Sequence, residues 1–349
     1  MTLKINLEPI LSVEHVSEAA SMAEIMAACY IKVAFADLQI DPEPFSRSYI
    51  DALLDDGLDE NTLDDYTEEP AFALGEAKET FESQLVVELT RRASELGAVY
   101  PFKVGTAGDV ILERKNKYRL SPVAIAYLFF RAFKLTHGVE NYLSFTSSAA
   151  TVDGLKKFRT TYERIFEITA CYALAAKSEG AVWLSGQHRG STAFLPFLNE
   201  IATFIGSGEV KTRLQLSPEQ TGVNDGGIDG ISFETRQGLL TADTSGFMLQ
   251  ATIQKSNRTN KILDDTKKQR VLRFFVTPPA VPFQGVMAIP FEQNLAEKHR
   301  CASQSCIYLP EAEILSLIGN VTPHPEFRKN VKELNRQMRS ESSKFFALF

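Results

Sequence analysis

Three glycines surround an aspartate in residues 224–231, and this pattern constrains the fold more than any other feature of the chain. Gly226 and Gly227 favour a tight turn, because glycine readily adopts the backbone conformations that such turns need. Asp229 then opens a run of alternating apolar residues, which is typical of a β-strand. A second strand-like run, residues 246–254, follows a short polar turn. The sequence therefore predicts a β-hairpin with an acidic side chain at its rim.

The elements around this hairpin alternate between helix and strand from residue 155 onward. The patterns predict, in chain order, a helix over 155–180, strands over 210–216, 228–234 and 246–254, a helix over 260–275, a strand over 284–291, and a strand running into a short helix over 307–319. Helices interspersed with strands are typical of proteins that cover a sheet with helices. The sequence therefore predicts an α/β (α+β) core for residues 155–318.

The part of the chain before this core is rich in helix formers. Apolar residues at three- and four-residue spacing predict helices over 16–36 and 74–97. A third helix is predicted over 118–137, because Ser121 before Pro122 is the arrangement of an N-cap followed by a proline in the first turn. A short polar run within 138–154 predicts a linker, so residues 1–150 are interpreted as a mainly α-helical domain.

The C-terminal residues 319–349 are interpreted as an amphipathic helix. Their pattern favours an apolar stripe packed on the core over a stripe offered to a partner. The stripe consists of Phe327, Val331, Leu334 and Met338.

The charge is divided unevenly along the chain. Residues 1–100 carry 6 Lys/Arg against 21 Asp/Glu, whereas residues 101–349 carry 31 against 23. Much of the negative charge lies in residues 51–70, which form either an acidic surface loop or a segment that mimics or repels phosphate near a basic groove. The remainder contains four basic clusters, which favour a polyanionic partner. These clusters are residues 114–119, 156–159, 255–261 and 267–270.

Composition excludes several classes of protein. With 44% apolar residues, the chain is too hydrophobic to be disordered. Its longest apolar run, residues 122–130, is far shorter than the roughly 20 residues that span a bilayer. Glutamates at positions 8, 14 and 18 do not suit a signal peptide, so we expect a cytoplasmic protein without a membrane segment. The four cysteines are too few and scattered for a disulfide framework, and the Cys301/Cys306 spacing lacks a second pair for zinc.

Asp229 is the best candidate for a metal ligand. At the head of a strand, flanked by Gly227 and Gly230, it would stand where no bulky neighbour blocks a phosphate. A divalent cation held there would neutralise the charge that develops when water attacks a phosphodiester. The alternative is an ordinary hairpin turn in which Asp229 only hydrogen-bonds its own loop.

Two further elements carry candidate site residues. The period-two pattern of 246–254 places Gln250, Thr252 and Gln254 on one strand face, which favours a face lining a site rather than a dry core. Glu167 lies on the inward stripe of its helix, where an acid needs a metal or a partner such as Arg164. The segment after the strand is either a phosphate-binding segment or a solvated helix cap. Its candidate nucleic-acid-binding residues are Lys255, Asn257, Arg258 and Lys261.

The glycine-flanked Asp229 and the strand carrying Gln250 about 20 residues later resemble the Mrr-like branch of the PD-(D/E)xK restriction-endonuclease-like superfamily. The resemblance covers residues 155–318 and implies a mixed sheet flanked by helices. It also implies Asp229, Gln250 and Glu167 as ligands of Mg²⁺ or Mn²⁺. The family's lysine would stand two residues after Gln250, where this chain has Thr252. Either Lys255 has taken over from an offset position, or the site hydrolyses poorly or not at all.

The function that the resemblance implies is a magnesium-dependent endonuclease acting on DNA, an effector or subunit of a bacterial anti-phage defence or restriction system. In that reading Asp229, Gln250 and Glu167 hold the metal and Lys255 assists hydrolysis. The alternative is a catalytically impaired, nuclease-like subunit that binds nucleic acid or scaffolds a defence complex. A third interpretation has the helical N-terminal part docking a partner protein such as an ATPase, and a homo-oligomer is compatible with all three.

Overall fold

The structure of the chain is a computed structural model. It divides the chain into two compact units, residues 1–152 and residues 153–349. The residues it describes are 16–17, 20–21, 24, 27–28, 32–34, 69–105, 111–116, 121–146, 149–185, 193–221, 226–236, 239–241, 243–253, 262–290, 295–319, 333–334 and 336–341.

The first unit combines long helices with a small sheet. Its described elements are β1 (Lys32–Ala34), α1 (Glu69–Leu96), β2 (Phe102–Val104), β3 (Ile111–Arg114) and α2 (Pro122–Thr146). The three strands pair antiparallel in the order β1-β3-β2. The helices predicted over 74–97 and from Ser121 are confirmed, and the Ser121 hydroxyl caps α2 by accepting a hydrogen bond from the Ala124 N–H at 3.1 Å.

Two predictions for the first 154 residues need correction, although every described residue from 16 to 28 is helical as predicted. The helix expected over 16–36 does not reach its predicted end, because Lys32–Ala34 pairs with β3 as a strand. Sheet pairing here overrides a weak local helix preference. The linker expected over 138–154 is helical at every residue described there, since α2 continues to Thr146 and α3 (Ala149–Lys177) follows. A single glycine such as Gly138 costs a helix only about 1 kcal/mol, which a long helix can offset.

A buried ionic network holds the first unit together. The Glu24 carboxylate is fully buried and accepts hydrogen bonds from Arg92 Nη1 at 2.8 Å, Tyr100 Oη at 2.8 Å and Tyr127 Oη at 2.7 Å. Arg92 also donates to Glu88 at 2.7 Å. Burial, together with the Glu24 charge, keeps the pKa of the Tyr100 phenol well above its usual value, so this phenol stays a neutral donor. Buried charges are tolerated when each is paired and hydrogen-bonded, as here.

The second unit is built on a five-stranded mixed sheet. Its elements are α3, β4 (Val182–Leu184), α4 (Phe194–Ile205), β5 (Glu209–Val210), β6 (Gly230–Phe233), β7 (Gly246–Ala251), α5 (Asp265–Leu272), β8 (Phe275–Thr277), β9 (Phe283–Ile289), α6 (Leu295–Ser303), β10 (Cys306–Pro310) and α7 (Glu311–Gly319). The strands of the sheet lie in the order β10-β9-β7-β6-β4, with β4, β6 and β7 antiparallel and β7, β9 and β10 parallel. A separate antiparallel pair joins β5 to β8. The predicted α/β (α+β) class is confirmed.

Helices cover both faces of this sheet. On one face, Ile231 and Phe233 of β6 and Met248 of β7 join an apolar core with residues of α4 and α5. On the other face, α3 packs against β6, where the hydroxyls of Ser178 and Ser232 lie 2.7 Å apart. Because side chains alternate along a strand, β6 contributes to both layers.

Several predicted boundaries in the second unit need correction. The strand expected over 210–216 ends at Val210, because Gln215 hydrogen-bonds back to Thr212 and closes a turn that leaves Leu214 98% exposed. Such local side-chain bonds compete with sheet formation. The helix expected over 260–275 is α5, capped by Asp264, whose carboxylate accepts from the Lys267 N–H at 2.9 Å. The predicted strand over 246–254 begins correctly at Gly246 and ends at Ala251.

The C-terminal part follows the sequence pattern more closely. β10 runs directly into α7 as predicted. In the described residues of the tail, Leu334 and Met338 are helical and buried, whereas Phe327 and Val331 lie outside the described residues. Within the described part of the chain, no helix has both the length and the apolar character needed to cross a membrane.

Candidate functional site

Asp229 lies at one end of the five-stranded sheet, where β4 ends, β6 begins and β7 ends. Its backbone N–H donates to the carbonyl oxygen of Leu249 at 2.8 Å, and its carbonyl accepts from the N–H of Ser185 at 2.8 Å. The preceding turn has positive φ at Gly226 (65°) and Gly227 (79°), as the glycine pattern predicts. The turn and the two neighbouring strands therefore fix the position of this acid.

The Asp229 carboxylate contacts a different strand and not only its own loop. Its Oδ2 accepts a hydrogen bond of 2.7 Å from the backbone N–H of Ala251, the last residue of β7. At this point β6 no longer supplies a carbonyl partner, so the carboxylate takes its place. This bond holds the acid beside Gln250.

The side chain of Gln250 carries a buried oxygen for which the described part of the chain supplies no hydrogen-bond partner. Gly230 pairs with Leu249 in the sheet, and the Asp229 carboxylate accepts a hydrogen bond from the N–H of Ala251, the residue after Gln250. Among the described residues, Gln250 Oε1 is buried and has no hydrogen-bond partner. Leaving a buried acceptor unpaired costs about 1–3 kcal/mol, so such an atom is a strong candidate for a ligand-binding group. The structure thus brings together two of the four site residues that the sequence predicts.

Thr252 occupies the position where the resemblance calls for a lysine. It is 6% exposed, and its backbone N–H continues the hydrogen bonding of β7 to β9 by donating to the Ala288 carbonyl at 2.9 Å. The position therefore presents a buried, uncharged side chain. Lys255, the predicted replacement, lies outside the described residues, as do Asn257, Arg258 and Lys261.

Glu167 lies near the same end of the sheet, on α3. Four residues further along the helix, the Cys171 thiol donates to the Asp229 carbonyl at 3.5 Å. Burial first, and then the negative charges of Asp229 and Glu167, raise the pKa of the Cys171 thiol well above its usual value. One buried thiol therefore lies within electrostatic reach of both predicted carboxylate ligands.

These groups suit a hard cation better than a softer one. Carboxylate and amide oxygens are the ligands that Mg²⁺ prefers, and Mg²⁺ keeps several waters, so few protein ligands suffice. Within the described ranges, no group of three or more His, Cys, Asp or Glu side chains is arranged to hold a metal ion. A metal at this site would accordingly need the Gln250 amide oxygen as well as carboxylates.

Ser185 is a residue of this region that sequence reasoning missed. It follows β4, is completely buried, and its Oγ has no hydrogen-bond partner among the described residues. No local pattern distinguishes it from other serines near strand ends. Its position becomes informative only through its backbone contact with Asp229.

The predicted basic clusters are exposed only in part. Lys156 and Lys157 on α3 and Arg270 on α5 are exposed. Lys268, by contrast, is 7% exposed and its ammonium lies 2.7 Å from an Asp265 carboxylate oxygen. The charge of Lys268 is therefore already paired with a carboxylate. The cluster at 267–270 accordingly offers fewer cations to a polyanion than its sequence indicates.

Replacing Gly230 by alanine is expected to lower the free energy of unfolding by about 1–3 kcal/mol, because cores tolerate added volume poorly. An added Cβ would lie 2.6 Å from the Cys171 sulfur and 3.4 Å from the Trp183 carbonyl oxygen. Cys171→Ala removes that sulfur, so the double variant should regain part of the lost stability in urea denaturation. Strictly additive effects would show that this contact is not the cause.

Gly227→Ala is the matched comparison for this test. A Cβ at Gly227 would meet no atom of the described residues within 4 Å, but its φ of +79° is unfavourable for alanine, at a cost of about 1–2 kcal/mol. Since this cost lies in the backbone, Cys171→Ala should not offset it.

Comparisons with known proteins do not assign this site to a family. No protein-family model matches the chain, and neither a curated protein nor a solved structure is significantly similar to it. The chemistry of the residues at this end of the sheet is therefore the basis for a functional proposal.

Proposed function

We propose that the chain is a divalent-metal-dependent nuclease that hydrolyses phosphodiester bonds of DNA. The observation that carries the proposal concerns two neighbouring groups. The Asp229 carboxylate bonds the N–H of Ala251, the residue after Gln250, and Gln250 Oε1 is buried with no hydrogen-bond partner among the described residues. An acid and an amide oxygen on adjacent strands supply the hard ligands that Mg²⁺ or Mn²⁺ requires.

The element order supports the finer proposal that residues 155–318 are a PD-(D/E)xK-like nuclease domain. β6 and β7 form the two strands of a hairpin-like pair, with Asp229 just before the first and Gln250 in the second. Glu167 lies on the helix that precedes the sheet. The sequence resemblance implies this order of elements, and the order therefore supports the proposal.

Each residue of the proposed site would have its own role in the hydrolysis. A divalent cation bound here would stabilise the negative charge that develops on the phosphoryl oxygens and make a water molecule more acidic. Asp229 and Gln250 would hold that cation, and Glu167 would add a second carboxylate from α3. Lys255 would orient the attacking water, since the buried hydroxyl of Thr252 carries no charge.

Thr252 also favours a second candidate function. Without a lysine at this strand position, the domain would bind nucleic acid or scaffold a larger complex without rapid turnover. In either case we propose a role as effector or subunit of a bacterial anti-phage defence or restriction system. A partner such as an ATPase and assembly with further copies of the chain belong to the same proposal.

Incubation of the purified full chain with supercoiled plasmid DNA tests the proposal. We expect nicked or linear products with Mg²⁺ or Mn²⁺ and none with excess EDTA. DNA binding that weakens steeply with added salt, without cleavage, would favour the second function. If the chain neither binds nor cleaves DNA under any of these conditions, both proposed functions are contradicted.

A further inference from the structure

A cavity of about 720 Å³ opens at the end of the five-stranded sheet that lies opposite Asp229. Asp229 bonds the last residue of β7, and β9 runs parallel to β7. The cavity instead contacts Phe283 and Gln284, with which β9 begins, and Cys306, with which β10 begins. Small-molecule sites usually have volumes of roughly 300–1,000 Å³. This cavity is therefore separate from the candidate metal site and large enough for a small organic molecule.

Apolar and aromatic side chains line much of the cavity. Phe283, Ile307 and Tyr308 lie in its wall and are half-buried. Cys301 and Cys306 also line it and are buried. Burial raises the pKa of the Cys306 thiol to about 11, so this thiol is uncharged at pH 7 and does not repel an anion. Ligand-binding cavities typically combine such walls with a few polar groups that fix the orientation of the ligand.

Two lysines line the cavity, against one carboxylate among the described residues. Lys268 is 7% exposed, and its ammonium lies 3.3 Å from the Phe283 carbonyl oxygen and 2.7 Å from an Asp265 carboxylate oxygen. Because an ammonium has three donors and the described residues accept two of them, one donor is left for a ligand. Lys298 is exposed and adds a second positive charge. The described lining residues therefore give the cavity a net positive charge.

The carboxylate of Asp265 does not prevent Lys268 from binding a ligand. The Asp265 side chain is 86% exposed, and ion pairs of exposed groups are weak. An anion in the cavity can therefore share the Lys268 ammonium with Asp265 or displace this carboxylate towards water. A duplex nucleic acid, by contrast, cannot reach an ammonium that is buried to this degree.

We propose that this cavity binds a small organic anion. The acidic group of the ligand, a carboxylate, sulfonate or phosphate, bonds the Lys268 ammonium, and its apolar or aromatic body packs on Phe283, Ile307 and Tyr308. A hydrogen bond between charged groups is stronger than one between neutral groups, and removing the apolar body from water adds a hydrophobic contribution. The inference does not depend on metal binding or on DNA cleavage, because the cavity and Asp229 lie at opposite ends of the sheet.

Anilinonaphthalene sulfonate (ANS) is a suitable probe, because it combines a sulfonate with an aromatic body and becomes fluorescent when it leaves water. We expect one ANS molecule to bind to each folded full chain at micromolar concentration. Phenylnaphthylamine has the same rings without the sulfonate, and it should bind more weakly. Since ANS also binds partly unfolded proteins, near-ultraviolet circular dichroism of each sample verifies native packing.

Lys268→Met tests the contribution of the charge. The variant is expected to bind ANS about tenfold more weakly or worse, the usual effect of losing a hydrogen bond to a charged group, and to bind phenylnaphthylamine as the wild type does. Lys267→Met is the matched control, because its ammonium donates to the Ile262 carbonyl at 2.7 Å and Lys267 is not among the described residues that line the cavity. This control should lose much less ANS affinity.

Ala302→Trp tests the cavity without changing a charge or a buried residue. Ala302 is exposed near the end of α6 and lines the cavity, so an indole there should occupy the space and abolish binding of both probes. Ala296→Trp is the matched control. Ala296 is exposed on the same helix but is not among the described lining residues, so its replacement should leave the affinity for both probes unchanged.

Three results would overturn the inference. The first is that the natively packed wild-type chain binds no ANS at millimolar concentration. The second is that Ala302→Trp binds ANS as tightly as Ala296→Trp does. The third is that Lys268→Met binds ANS as tightly as the wild type does. If Lys268→Met fails to fold, the two probes on the wild-type chain decide instead: a preference for ANS over phenylnaphthylamine supports the anion site, and equal affinities overturn it.

Discussion

Replacing Arg92 by methionine is expected to lower the free energy of unfolding of the first unit by about 3–5 kcal/mol, the usual cost of removing one partner of a buried ion pair. The variant would leave the completely buried Glu24 carboxylate without its counter-charge. The hydroxyls of Tyr100 and Tyr127 would still donate to it, but neutral donors do not replace a guanidinium. The loss should therefore be among the largest that one substitution in this chain can cause.

Denaturation in urea at pH 7, followed by far-ultraviolet circular dichroism, measures this effect. Trp183 is the single tryptophan of the chain and lies in the second unit, so its fluorescence reports the unfolding of that unit separately. We expect the Arg92→Met variant to shift the dichroism transition to lower urea concentration.

Arg91→Met is the matched control, one residue away on the same helix. Arg91 also bonds Glu88, and it pairs with Glu95, but its side chain is 37% exposed whereas that of Arg92 is 2% exposed. Exposed pairs contribute less than about 1 kcal/mol. Burial alone raises the pKa of Glu88, but its hydrogen bonds to both arginines lower it to about 2, so Glu88 is ionised at pH 7 in either variant. Equal losses in the two variants would mean that burial of the pair does not determine its contribution.

Local patterns in the sequence predict much of the second unit. The glycine turn, the strand that follows it and the start of β7 at Gly246 all follow from short-range signals, and so does the continuous β10–α7 segment. Because Asp229 and Gln250 lie on consecutive strands, their proximity could also be predicted. Features of this kind depend on residues that are close together in the chain.

Features that depend on distant partners could not be predicted. β1 pairs with β3 through Lys32↔Glu113, and three-residue strands carry no readable period. Glu24 resembles any other glutamate of an amphipathic helix, because its partners Arg92 and Tyr127 lie 68 and 103 residues away. The position of Ser185 next to Asp229 depends on the register between β4 and β6. In each case long-range pairing, and not composition or spacing, determines the environment of the residue.

Asp229→Asn is expected to lower metal-dependent DNA cleavage by about 10³-fold, more than the 10–100-fold typical of groups outside the ligand shell. Asparagine keeps the shape of aspartate and one oxygen acceptor, so the hydrogen bond from the Ala251 N–H can persist. It removes the negative charge that would hold the cation. The variant therefore separates the proposed chemical role of the carboxylate from its role in the sheet. Initial rates of plasmid nicking at saturating Mg²⁺, with Tm measured in parallel, test this.

Asp229→Ala serves as the comparison, because it removes the acceptor as well as the charge. The N–H of Ala251, a buried residue, would then lose its partner, which costs about 1–3 kcal/mol and should lower the Tm. Loss of cleavage in the alanine variant has two causes, the missing charge and the lower stability. Loss of cleavage in an asparagine variant that keeps the wild-type Tm has one cause, the missing charge. If the asparagine variant cleaves DNA at the wild-type rate, the carboxylate serves only to complete the end of β7, and the metal-dependent mechanism centred on Asp229 is wrong.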